Sequence, residues 1–97
     1  MIIIVKVNVE AEDEFAGRCY KEVYECTCYI VTEDDMTRRE ISGAISRWYR
    51  STPSGVPKKI TSIERNHSMS IPCGCYDNVM DPNGKYLNYK DREITRI

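Results

Sequence analysis

TRREISGAISRWYR, residues 37–50, is the one run in which apolar side chains recur at helical spacing and both ends carry helix signals. Ile41, Ala44, Ile45, Trp48 and Tyr49 fall at i, i+3, i+4, i+7 and i+8, which gathers them into one stripe of a 3.6-residue helix. Thr37 and Glu40 match a capping box, in which the hydroxyl accepts from a first-turn N–H while the carboxylate reaches back to the cap. Glu33, Asp34 and Asp35 precede it, where the positive end of the helix dipole favours negative charge. Arg47 and Arg50 occupy the last turns, and Pro53, Gly55 and Pro57 stop the helix because proline lacks a donor and clashes with the preceding turn. A rod of about 21 Å is expected, its oily stripe laid on a sheet.

Strands are expected on both sides of it. Ile2–Val9 is rich in β-branched residues, with Ile3, Val5, Val7 and Val9 on one face and Ile2, Ile4, Lys6 and Asn8 on the other, as in a central strand buried on one side and partly on the second. Ala11–Gly17, with Glu12, Asp13 and Glu14, reads as an exposed connection. Tyr20–Thr32 alternates Tyr20, Tyr24, Cys26, Cys28 and Ile30 against Lys21, Val23, Glu25, Thr27, Tyr29 and Val31. Lys58–Arg65 reads as a third strand in which Ile60 and Ile63 are out of phase, so a bulge or a shifted register is expected. Residues 66–74 give no clear pattern. Asp81-Pro82-Asn83-Gly84 is a turn, with proline at its second position and glycine at its fourth, joining Tyr76–Met80 to Lys85–Lys90 in a hairpin. Ile94 and Ile97 fit either an edge strand or a packed tail. The predicted fold is α+β: one amphipathic helix on a mostly antiparallel sheet of four to five strands, in β-β-α-β-β-β order, as a single domain over residues 1–97.

Composition bounds the class. Ninety-seven residues with 30% charged and 41% hydrophobic side chains suit one folded domain rather than a disordered chain or a membrane span. The apolar opening Met1–Val5 is interrupted at Lys6, far short of the roughly 20 residues a span needs, and no basic leader or small-residue cleavage site follows it. A cytoplasmic location without membrane contact is expected. The net charge of −1 conceals a polarity: residues 1–36 hold nine acidic and three basic side chains, residues 37–97 six acidic and eleven basic. If folding keeps these apart, one face is basic and another acidic.

Five cysteines, Cys19, Cys26, Cys28, Cys73 and Cys75, are an odd number with no secretion signal, and reduced thiols are the expectation. The pairs Cys26/Cys28 and Cys73/Cys75 raise a zinc-stabilised domain as an alternative, with Cys19 or His67 as substitute ligand. The spacing opposes it, because residues i and i+2 of a strand lie about 7 Å apart whereas two thiolates on one zinc lie roughly 3.8 Å apart. The expectation is no metal and no cofactor. His67, the one histidine, has no third group beside it to complete a Cys/His nucleophilic pair. No phosphate-cradling glycine loop, metalloprotease helix or calcium loop is present, so the chain reads as non-enzymatic.

Two surfaces are the candidates for recognition. The helix face opposite the stripe carries Arg39, Ser42, Gly43, Ser46, Arg47 and Arg50. Glycine costs about 1 kcal/mol relative to alanine inside a helix, so bare small residues ringed by arginines suit the close approach of a second backbone or a phosphate. Tyr76, Tyr86 and Tyr89 lie near Lys85, Lys90 and Arg92, and tyrosine is enriched at interface centres; packing across the hairpin is the plain alternative. In size and lack of catalytic motifs the chain resembles the small accessory or inhibitor proteins carried by bacteriophages and mobile elements, which implies a module that binds another protein and also self-associates. Binding of nucleic acid or a nucleotide through Arg39, Arg47, Arg50, Lys58 and Lys59 is the second expectation. A pI near 5.8 disfavours a long duplex footprint but not a small phosphorylated ligand.

Overall fold

A computed structural model describes residues 2–13, 22–50, 56–67, 71 and 78–87. β1 (Ile3–Asp13) and β2 (Glu22–Thr32) pair antiparallel along their full length, from Ile3 opposite Thr32 to Asp13 opposite Glu22. The period-2 pattern carries β1 beyond its expected end: Ala11, assigned above to the connection, is fully buried in line with Val9. α1 (Arg38–Arg50) follows, then β3 (Val56–Asn66), which lies antiparallel on the other flank of β1, and β4 (Val79–Met80), which adds parallel to β2. The sheet order is β3-β1-β2-β4, so β1 and β2 are central and the helix returns the chain from one side of β1 to the other.

The expected α+β architecture is present: among the described residues, one helix lies against a four-stranded, mostly antiparallel sheet. Of the expected last hairpin, residues 78–87 are described. Among them Val79 and Met80 join the sheet, and the returning arm meets them through an antiparallel bridge, Met80 to Tyr86, and a 2.9 Å bond from Leu87 N–H to the Val79 carbonyl. In the turn, Asp81 Oδ1 accepts from the backbone N–H groups of both Asn83 and Lys85 at 2.9 Å. Tyr76, Tyr89, Ile94 and Ile97 lie outside the described residues, as do Cys19, Cys73 and Cys75.

The helix-facing core collects Ile3, Val5, Val7, Val9 and Ala11 from β1, Cys28 and Ile30 from β2, Met80 from β4, Met36 from the link, and the whole predicted helix stripe. Each buried valine or isoleucine removed from water contributes about 1.5–3 kcal/mol. The phase problem in β3 is solved by an extra residue. Asn8 faces Ser62 and Val9 faces Ile60, leaving Thr61 bulged, so that Ile60 and Ile63 both reach the core. The Thr61 hydroxyl donates to the Asn8 carbonyl at 3.1 Å, securing the bulge.

Among the described residues, the other sheet face is covered at one end. There Ile4, Tyr29, Val31, Ile71 and Val79 form a second, smaller core. Further along, the carboxamide of Asn8 accepts from the Thr27 hydroxyl and donates to the Ser62 hydroxyl, both at 2.7 Å, a polar rung across three strands. Beyond it Val23 is 54% exposed.

Candidate functional site

The helix is set in place by its first turn. The Thr37 backbone N–H donates to Glu40 Oε1 at 3.0 Å and the Glu40 N–H donates to Thr37 Oγ1 at 3.2 Å, the reciprocal pair expected from the sequence. That bond from the Thr37 backbone, then the Thr37 side chain, holds the Glu40 carboxyl below its ordinary value. The link before it is anchored by Arg65 of β3, whose Nη2 donates to the Met36 carbonyl at 2.9 Å.

So placed, the six residues opposite the stripe do not share one surface; they divide among two flanks and a ridge. On one flank Gly43 and Arg47 face the 81–84 turn. Arg47 Nε donates to the Asn83 carbonyl at 2.8 Å, and a side-chain carbon at Gly43 would meet the Arg47 guanidinium at 3.2 Å. On the other flank Ser42 and Ser46 line a hollow of about 170 Å³ against Pro57, Lys58, Lys59 and Ile60 of β3. Arg39 and Arg50 form the outward ridge between them, both exposed. Arg47 is thus a tie within the fold, and Gly43 is the space in which its side chain lies. Sequence spacing reveals the face but not this division, because Asn83 is 36 residues away from Arg47.

The charge polarity persists at the level of elements. α1 and β3 together carry seven basic side chains against Glu40 and Glu64, whereas β1 and β2 carry Lys6 against five acidic ones. Lys58 Nζ meets Glu12 Oε2 at 2.7 Å where the two sets touch. Lys59, which lines the hollow, is exposed, as are Arg39 and Arg50 on the helix ridge. β3 has a single neighbour, β1, among the described residues, but Pro57, two register shifts and paired lysines blunt its first half against edge-to-edge pairing.

Tyr86, 49% exposed, lines a separate cleft of about 450 Å³ with Lys85, Leu87, Thr32, Glu33, Asp34 and Asp81. Sequence reasoning assigned Tyr86 to a hairpin surface and did not foresee that the link before α1 forms the opposite wall. His67 is exposed at the end of β3. No group of three His, Cys, Asp or Glu side chains suited to a metal occurs among the described residues. No helix of the described residues is long and apolar enough to cross a membrane.

The architecture defines only a class, one helix over a four-stranded mixed sheet. No protein-family model, curated protein or solved structure matches this chain.

Proposed function

We propose that this chain is a non-enzymatic protein-binding module, an inhibitor or adaptor, whose helix ridge and the adjoining β3 edge receive an acidic segment of another protein. The observation that carries this is the division of charge: exposed Arg39, Arg50 and Lys59 stand around the small Ser42 and Ser46, on the half of the molecule where basic side chains outnumber acidic seven to two. Small side chains let a second backbone come close, and guanidinium groups engage carboxylates in paired hydrogen bonds. Arg47 is left out of the contact set because its Nε bond to the Asn83 carbonyl holds its side chain against the 81–84 turn.

Capture from the native host followed by mass measurement of the intact complex identifies the partner and reports self-association. Reversal of Arg39 and Arg50 to glutamate is expected to abolish capture with the melting temperature unchanged, and capture by the native chain is expected to weaken as salt rises. Binding that survives the double reversal rejects the ridge.

The hollow favours a second use, the seating of a phosphate group between Ser42, Ser46 and Lys59. At about 170 Å³ it is smaller than the roughly 300–1,000 Å³ of sites that enclose a whole small ligand, so a terminal phosphate rather than an entire nucleotide fits. Titration with a nucleoside triphosphate, followed by backbone amide shifts at Ser42, Ser46 and Lys59, decides it: no shift at millimolar ligand removes this use.

A further inference from the structure

The turn that packs on α1 beside Arg47 contains the one Asn-Gly step in the sequence, Asn83-Gly84. Asparagine before glycine is labile in water, because no Cβ shields the next amide nitrogen from the asparagine carboxamide. Asn83 is exposed, but the backbone around it is tied down. The Gly84 N–H, whose nitrogen would attack, donates to the Asp81 carbonyl at 2.9 Å. The Asn83 N–H donates to Asp81 Oδ1 at 2.9 Å, and the Asn83 carbonyl accepts from Arg47 Nε at 2.8 Å, so the peptide groups on both sides of Asn83 are held.

These bonds also fix the torsion that decides reactivity. The bond from Gly84 N–H to the Asp81 carbonyl closes a turn in which Asn83 has negative φ, which is a type I turn with ψ near 0° at Asn83. Closing a five-membered ring needs a different rotation there, one that brings the Gly84 nitrogen under the side-chain carbon. That rotation swings Gly84 away from α1. Gly84 is buried with a φ of 81°, against the Ala44 carbonyl oxygen and the Trp48 backbone nitrogen, so its seat on the helix keeps the reacting atoms apart.

We propose that Asn83 is a deamidation site that the fold keeps shut and that is modified when the 81–84 turn leaves α1. In the open turn the Gly84 amide nitrogen loses its proton to solvent and attacks Asn83 Cγ. The new C–N bond closes a succinimide ring, and the Cγ–Nδ2 bond breaks with release of ammonia, which takes up a proton. Water then adds to one of the two ring carbonyls and opens the ring to aspartate or isoaspartate. Nothing is oxidised or reduced, and water is the only co-reactant. Either product adds a negative charge to the turn, and isoaspartate also lengthens the backbone by one carbon, so that the turn no longer matches its seat. The change is one-way and records that the closed flank of the helix has opened.

The test compares rates at Asn83. The full-length chain is incubated at neutral pH, with and without denaturing urea, and the Asn83 peptide is quantified by mass spectrometry after separation of its aspartate and isoaspartate forms. Modification is expected to be at least about tenfold slower in the native chain than in urea, because the turn must open first. Arg47→Ala removes the bond to the Asn83 carbonyl and is expected to raise the native rate about fivefold, the change in open population that one hydrogen bond is worth. Thr37→Ala weakens the helix at its other end by a similar amount without touching the turn, and is expected to leave the rate unchanged. Amide hydrogen exchange on the same samples separates opening of the turn from loss of the sheet: the acceleration in Arg47→Ala is expected with protection of β1 and β2 retained. Equal rates with and without urea, no acceleration in Arg47→Ala, an acceleration that only follows lost β1 and β2 protection, or equal acceleration in Thr37→Ala overturns the proposal.

Discussion

The two flanks of α1 are built from similar residues and have opposite fates. Toward β4 the helix is closed off: Gly84, with a φ of 81°, is pressed so tightly against it that a side-chain carbon there would lie 2.2 Å from the Ala44 carbonyl oxygen and 3.0 Å from the Trp48 nitrogen. Toward β3, among the described residues, Ser42 and Ser46 border a hollow. Small residues therefore mean two things in one molecule. At Gly84 the missing side chain is occupied by another backbone, while at Ser42 and Ser46 the space is left over. The proposed recognition uses the second flank, where the hollow leaves space.

The sharpest way to break this contrast is at Gly84. Gly84→Ala both strains a left-handed backbone, at about 1–3 kcal/mol, and overpacks a closed contact, at a further 1–3 kcal/mol. A loss of about 2–5 kcal/mol is expected in urea unfolding, against a change within about 0.5 kcal/mol for Ser42→Ala. Equal losses at the two positions would mean that the flanks are not different in kind.

On the open flank, β3 offers a counter-intuitive cut. Deleting Thr61 leaves Ile60, Ser62 and Ile63 opposite Val9, Asn8 and Val7, which is regular pairing with both isoleucines still inward. The loss should be near that of one hydrogen bond, about 1 kcal/mol, from the missing Thr61–Asn8 contact, with the ladder retained in amide hydrogen exchange. Collapse of β3 protection would show that the bulge sets the strand's twist.

Local signals carried most of the fold. The helix and its cap are written within four residues of one another, and β1 and β2 alternate cleanly enough to assign both faces. The phase clash between Ile60 and Ile63 announced a bulge without saying which residue would be extruded, since that depends on β1, some fifty positions earlier. The parallel docking of β4 on β2 was beyond reach, because Val79 and Met80 are two residues with no pattern of their own. The site was legible only as a face. Its division into tie, ridge and hollow depends on where Asn83, Gly84 and Lys59 arrive, which no spacing rule predicts.

The cap touches neither flank and so sets a scale for both. Thr37→Ala is expected to cost about 1 kcal/mol in thermal or urea unfolding at neutral pH. Glu40 adds a pH signature whose sign is fixed. Its carboxyl lies below the ordinary value of 4.5 in the folded chain, so its contribution is present above that value and fades as pH falls through the lowered one. Glu40→Gln should therefore be less stable than the native chain at pH 7, with the gap narrowing as pH falls below 4.5; a gap that does not narrow in acid would separate Glu40 from the cap.

The smallest effect tests whether Gly43 belongs to the closed flank. Alanine there gains about 0.5–1 kcal/mol of helix preference, and among the described residues the group nearest its methyl is the Arg47 guanidinium at 3.2 Å, the far end of a flexible side chain. If the bond from Arg47 to Asn83 matters to the turn, part of that gain is lost as the guanidinium shifts, and Gly43→Ala stabilises by a few tenths of a kcal/mol. In an Arg47→Ala background the full gain should return, so the two substitutions are expected to be non-additive in chemical denaturation. Strict additivity would place Gly43 with Ser42 and Ser46 on the unoccupied side, and the dividing line along the helix would move by one turn.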